Sequence, residues 1–172
     1  MTHPALPALS LCLALILAAC GTPVGQSGGE AAYFIGPEGA ANLTAETPFT
    51  VPALERAFLG LDVVTIPDAD MPAFHVREAG STAPLYVVTP DWTRGYAGAV
   101  ATTSPDVAGP GGVRVGASRL ADVPEALKTR CAPPPTVSDI GLVCESPHFR
   151  LEFRGTGADP LLARQTYLPP VP

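Results

Sequence analysis

Phe149-Arg150-Leu151-Glu152-Phe153-Arg154 alternates strictly between apolar and charged side chains. A period of two places the apolar side chains on one face of a strand and the charged ones on the other. A strand dry on one face and wet on the other belongs in an antiparallel sheet. Upstream, Leu61-Asp62-Val63-Val64-Thr65-Ile66 and residues 73–78, 85–89 and 98–103 are short apolar or β-branched runs divided by Gly, Pro, Ser and Asp. They predict further strands. Leu142-Val143-Cys144 begins another.

Two stretches carry a helical pattern instead. In residues 50–58, Val51, Leu54 and Phe58 fall on one face, Thr50 stands at the N-cap position, Pro52 is tolerated in the first turn and Gly60 stops the helix. Gly112-Val113-Arg114-Val115-Gly116 leads toward a second short helix. There Asp122-Val123-Pro124-Glu125 matches a capping box, and Ala126 and Leu127 continue toward Cys131. The expected fold class is therefore α+β, a small antiparallel β-sheet domain with two short helices. Thr50-Val51-Pro52-Ala53-Leu54 and Asp122-Val123-Pro124-Glu125-Ala126-Leu127 look alike, which admits an internal duplication but is too short to establish one.

The N-terminus has a different pattern. Residues 5–19 carry no charged side chain and include Pro7. The stretch is short for a spanning helix, which needs about 20 apolar residues. It reads as the apolar segment of an exported protein's signal. It ends in Leu17-Ala18-Ala19-Cys20, followed by Gly21. That is the pattern of a bacterial lipoprotein signal, with Cys20 lipidated and first in the mature chain. The competing reading is an ordinary cleaved signal with a chance cysteine near the cut. Residues 1–7 depart from the pattern by lacking Lys and Arg. Each buried CH₂ contributes about 0.8 kcal/mol, and two or more acyl chains give stable anchoring. Gly21, rather than Asp, resembles an outer-membrane sorting signal in an organism with two membranes. The organisation expected is a signal over 1–19, lipidated Cys20 and a flexible Gly/Ala/Pro/Ser tether over 20–41, and one globular domain over 42–172. Tyr33-Phe34-Ile35 interrupts the tether as a point where it can dock on the domain.

Charge and cysteine content narrow the picture. A formal charge of −6 argues against nucleic acid, which calls for a basic footprint, and against a polybasic membrane surface. The chain holds 21 prolines and 17 glycines in 172 residues, just under the proportion that signals disorder. Cys12 leaves with the signal and Cys20 takes lipid, so Cys131 and Cys144 remain to pair outside the cytoplasm. Closing a 14-residue loop is worth roughly 3 kcal/mol in chain entropy. Pro133-Pro134-Pro135 already stiffens that loop and lowers the gain. The alternative is two independent buried thiols. Neither cysteine has a second Cys or a His at ligand spacing, so no metal is expected.

The order of these features resembles a known family. Leu43-Thr44-Ala45-Glu46-Thr47-Pro48-Phe49 precedes the first helix and Leu59-Gly60-Leu61-Asp62 closes it. Phe74-His75-Val76, Ser104-Pro105-Asp106-Val107 and Gly112-Val113-Arg114-Val115-Gly116 follow, then Cys131 and Cys144 with twelve residues between them, then residues 149–155. Over about residues 42–155 this is similar to the envelope-stress (sigma-E)-regulated bacterial lipoproteins, a domain family of unknown function. The Gly-Val-x-Val-Gly segment and the cysteine spacing are the most specific part. The resemblance implies a lipobox and an α+β domain, and brings no catalytic or binding residues with it. The chain departs at its end, where Leu168-Pro169-Pro170-Val171-Pro172 opposes a terminal strand and leaves room only for a short one over residues 163–168.

Chemistry-bearing motifs are sparse. Nucleophile elbow, zinc-protease and P-loop patterns do not occur, and Gly109-Pro110-Gly111-Gly112 reads as a turn. Asp68-Ala69-Asp70, between Pro67 and Pro72, reads as a solvated turn rather than a calcium loop. Two surfaces are candidates for binding. One is the wet face bearing His148, Arg150, Glu152 and Arg154, where arginine forks match carboxylate or phosphate, although a local Arg–Glu pair explains it as well. The other is Asp91-Trp92-Thr93-Arg94-Gly95-Tyr96, whose Trp92, Arg94 and Tyr96 are residue types common at interfaces. For Trp92, packing beneath its own loop is the stronger expectation. The function expected is a lipid-anchored, non-enzymatic binding or accessory module of the cell envelope. It would be without cofactor, attached to the membrane through its N-terminal lipid, and partnered by another envelope protein or envelope component. The alternatives are an enzyme using His75 or His148 as acid–base, and a purely structural stress lipoprotein.

Overall fold

The computed structural model describes residues 33–66, 71–136 and 138–170. The expected signal, Cys20, the first part of the tether and the Asp68-Ala69-Asp70 turn lie outside the described residues. In chain order the elements are β1 (Tyr33–Gly36), β2 (Gly39–Ala40), α1 (Val51–Ala57), β3 (Asp62–Ile66), β4 (Ala73–Arg77), β5 (Tyr86–Pro90), β6 (Ala97–Thr102), β7 (Val107–Ala108), β8 (Cys131–Ala132), β9 (Ile140–Ser146), β10 (Phe149–Arg154) and β11 (Leu161–Tyr167). Short 3₁₀ turns lie at Pro110–Gly112, Leu120–Asp122 and Glu125–Leu127.

Eight strands form one antiparallel sheet in the order β3-β4-β5-β6-β11-β10-β9-β8. The alternation in β10 sets its two faces. Leu151 lies opposite Cys144 and Gln165, and Phe153 opposite Leu142 and Leu162, all on the inner face. Arg150 lies between Glu145 and Thr166, and Glu152 between Val143 and Arg164, on the outer face. The inner face carries on through Val100, Val88 and Val76 toward β3. It packs against Ile35, Leu54, Phe58, Val113, Val115 and Val123 to make one core.

The first helix forms as its spacing predicts. The carbonyl of Thr50, in extended backbone, accepts from the N–H groups of Ala53 and Leu54, although its side chain makes no cap. Leu54 and Ala57 are buried, and Phe58 stacks on Tyr86 with ring centroids 5.1 Å apart. The second expected helix is absent. Residues 120–127 make two separate 3₁₀ turns, since the Asp122 carboxylate reaches back to the N–H of Arg119 at 2.8 Å and Val123, ahead of Pro124, is extended. A residue before proline is driven out of the helical region, so the turns cannot merge. Among the described residues the fold is mostly sheet with one α-helix.

Two further departures enlarge the sheet content. Residues 33–40, within the segment expected as tether, belong to the domain: β1 pairs antiparallel with β2 and parallel with β7, and Ile35 is buried. Tyr33-Phe34-Ile35 is the docking point. The last strand, β11, is seven residues long and starts ahead of the expected 163–168, because Leu161 and Leu162 pair with Arg154 and Phe153.

One polar pair sits inside. Thr102 and Gln165 lie opposite each other across β6 and β11, both buried. The Gln165 amide has no hydrogen-bond partner among the described residues. A Cβ on Gly109 would overlap its Oε1, so glycine there lets the 109–113 turn close over the amide.

Cys131 and Cys144 are bonded, directly opposite each other on β8 and β9 with Cα atoms 4.0 Å apart. Loop length and the proline discount together give a stabilisation of about 2 kcal/mol. Urea denaturation with and without reductant should show a loss of that size. An unchanged midpoint would mean that the unfolded chain gains no freedom when the bond is cut.

Candidate functional site

The β5–β6 loop is built around one carboxylate. Asp91 Oδ1 accepts from Thr93 Oγ1 at 2.9 Å and from the N–H groups of Gly95 and Tyr96 at 3.2 Å each, and Oδ2 accepts from Thr93 at 2.8 Å. Partial loss of water raises the Asp91 pKa, but the hydrogen bonds from Thr93, Tyr96 and Gly95 outweigh this and hold it below the usual carboxylate range. Beneath the loop, Gly98 meets the backbone of Pro90 and Asp91 so closely that a Cβ would overlap both. Residues 47–49 brace the other side, with Phe49 N–H donating to Gly95 O and Ala97 N–H to Thr47 O.

Trp92 is 86% exposed at the tip, contrary to the expected packing under the loop. The physical reason is that Asp91 satisfies the loop's donors itself, so the turn closes on a carboxylate and does not need the indole. Tyr96 is also exposed, and Arg94 holds a left-handed backbone at φ 61°. The register places Ile66 and Met71, both exposed, at this same end of the sheet.

The second expected surface is divided. Arg150 Nη2 lies 2.7 Å from Glu145 Oε1, Arg154 Nε donates to Asp139 at 2.8 Å, and Arg164 lies 3.4 Å from Glu152. The local pairing is thus real, but Glu152 takes Arg164 rather than a neighbour on its own strand. His148 sits in the β9–β10 turn, its Nδ1 3.2 Å from Leu168 O. Arg150 and Glu152 line a groove of about 740 Å³ on the outer face, walled by Pro133-Pro134-Pro135; Arg154 and His148 stand outside it. Arg130 and Arg164 complete the groove and escaped sequence reasoning. The one signal for Arg130 is its place before Cys131: the disulfide aligns the segment with β9, and Glu145 N–H donates to Arg130 O at 2.9 Å.

A second cavity, of about 390 Å³, lies at the start of the domain between Tyr33, Phe34, Phe58 and Leu59. His75 stands on the outer face between Val64 and Val87. Neither cavity is lined by His75 or His148. Among the described residues no three His, Cys, Asp or Glu side chains converge to hold a metal ion, and no helix is long and apolar enough to cross a membrane.

Comparison with known proteins matches no family model and no curated protein. Among solved structures, the chain is similar to the crystal structure of the uncharacterized protein yfeY from Escherichia coli, with a TM-score of 0.58 at 16% identity over 78% of this chain and 98% of that one. At this identity the likeness shows the fold alone.

Proposed function

We propose that the protein is a lipid-anchored component of the cell envelope, akin to the sigma-E-regulated lipoproteins its motifs resemble. In this reading it is a non-enzymatic binding module that meets another envelope protein through the Trp92 loop. The observation that carries the reading is the exposed indole on a loop locked by Asp91. Tryptophan is among the strongest interface anchors, and a loop fixed in advance loses little freedom on binding. The Arg150 and Arg154 face is the weaker contact, because each guanidinium is already engaged by a carboxylate.

The position of the loop fits this role. The chain enters the described domain at Tyr33, whose hydroxyl donates to Glu78 and whose strand pairs with β7. These groups lie at the end of the sheet remote from Trp92. The aromatic tip thus lies at the end of the sheet opposite the point where the chain enters it.

In-cell cross-linking of the tagged full chain, with mass spectrometry of membrane fractions, tests the reading. Cys20→Ala should move the protein out of the membrane fraction. Trp92→Ala should keep it there and lower recovery of its partner by about 30-fold, the loss expected for a central aromatic anchor. Undiminished recovery with Trp92→Ala would remove the loop from the interface.

A further inference from the structure

We propose that the groove under the proline strap is a separate binding site for a single carboxylate carried on an apolar body, such as the free C-terminus of a peptide ending in apolar residues. The case begins with its charges. Arg130, Arg150 and Arg164 line the groove with Glu145 and Glu152. Glu145 is taken by Arg150 at 2.7 Å and Glu152 by Arg164 at 3.4 Å. Arg130 makes no ion pair among the described residues. The groove thus holds one cation in excess, in a chain whose formal charge is −6.

The two glutamates decide the ligand's charge. A phosphate or a polyanion would bring its additional negative charge against Glu145 and Glu152, and like charges at such distances cost affinity. One carboxylate matches the planar fork of Arg130 and adds no unmatched charge. The rest of the lining calls for an apolar body, since Ile140, Val143 and the proline rings face the same space. Its volume, about 740 Å³, lies in the range of small-ligand sites.

The wall is built to stay in place. Pro133-Pro134-Pro135 begins one residue after Cys131, which the disulfide ties to β9, and Arg154 holds Asp139 at the other end of the strap at 2.8 Å. A wall stiffened by proline and a cross-link gives up little freedom when a ligand enters.

The test measures binding of a fluorescently labelled short peptide ending in Val-Val to the full chain in detergent, as the free acid and as the C-terminal amide. The acid should bind, and the amide about tenfold or more weakly, the difference expected of one charge-assisted contact. Arg130→Gln, at an exposed position, should erase the acid–amide difference, while Arg56→Gln on α1 should preserve it. Inorganic phosphate should not displace the acid. Trp92→Ala should leave binding unchanged, which separates this site from the aromatic loop. Equal binding of acid and amide, no binding of either peptide, displacement by phosphate, or discrimination that survives Arg130→Gln would each overturn the proposal.

Discussion

Phe153→Ala is expected to destabilise the domain by about 3–5 kcal/mol, the range for deleting a buried phenylalanine side chain. Phe153 is fully buried, with Leu142 and Leu162 directly opposite it on the neighbouring strands. Register shifts adjoin it toward both neighbours, between Glu152 and Phe153 against β11 and between Phe153 and Arg154 against β9. The cavity left by alanine cannot close by sliding a strand, because a one-residue slip would turn every side chain to the wrong face. Domains of this kind hold only about 5–15 kcal/mol in total, so the variant should unfold early in urea. Arg154→Ala, exposed on the same strand, should cost no more than about 1 kcal/mol. A loss that small at Phe153 would mean that β10 does not carry the core.

The second large effect is expected in alkali. Tyr86 is buried, its hydroxyl donating to Phe34 O at 3.0 Å, and burial pushes its pKa up from 10.0 to about 12. The unfolded chain therefore loses this proton first. The contribution is intact below pH 10 and is lost as the pH rises through the folded value near 12. At about 1.4 kcal/mol per unit, two units remove about 3 kcal/mol. Tyr33, through its hydrogen bond to Glu78, and Tyr167, through burial, are also raised and act with the same sign. Denaturation at pH 9 and pH 11.5 should show the decline, and Tyr86→Phe should flatten most of it. An equal decline in that variant would assign the effect to other groups. Because Tyr86 bonds to β1, its ionisation should also loosen the junction between the N-terminal strand and the sheet.

Where side-chain pattern and local structure agree, the chain is legible. β10 alternates and so announces both its faces, and α1 carries a helical stripe that buries Leu54 and Phe58. Cysteine arithmetic leads to the disulfide on the expectation that Cys12 leaves with a signal and Cys20 takes lipid, which leaves Cys131 and Cys144 to pair. β11 is obscure for the opposite reason: Gln165 and Thr166 are both buried, which breaks the alternation a strand normally shows. β1 resists reading because Tyr33 pairs with Val107, far along the chain, in a strand of four residues. Pro124 divides what the capping pattern suggests is one helix. Trp92 fails for a chemical reason, since the donor-satisfying role of Asp91 is invisible until the loop is folded. The groove takes Arg130, Arg150 and Arg164 from three separate segments, which only the pairing of β8 through β11 brings together.

The sheet ends differently on its two sides. β8 contributes two residues, is bonded to β9 through Cys131 and Cys144, and runs into three prolines that offer no N–H. β3 presents five residues in regular register, four of them β-branched, with no strand beyond it among the described residues. An uncovered strand of that kind is a template for another chain. Growth of a fibre needs two such templates on every molecule, one to join and one to be joined. With β3 as the one long open edge of this sheet among the described residues, strand addition through it is self-limiting: a pair related by a two-fold axis consumes both β3 edges and leaves the two-residue, proline-flanked β8 edges. The proline strap that walls the groove is in this sense also a chain terminator, confining growth of this sheet to its first step.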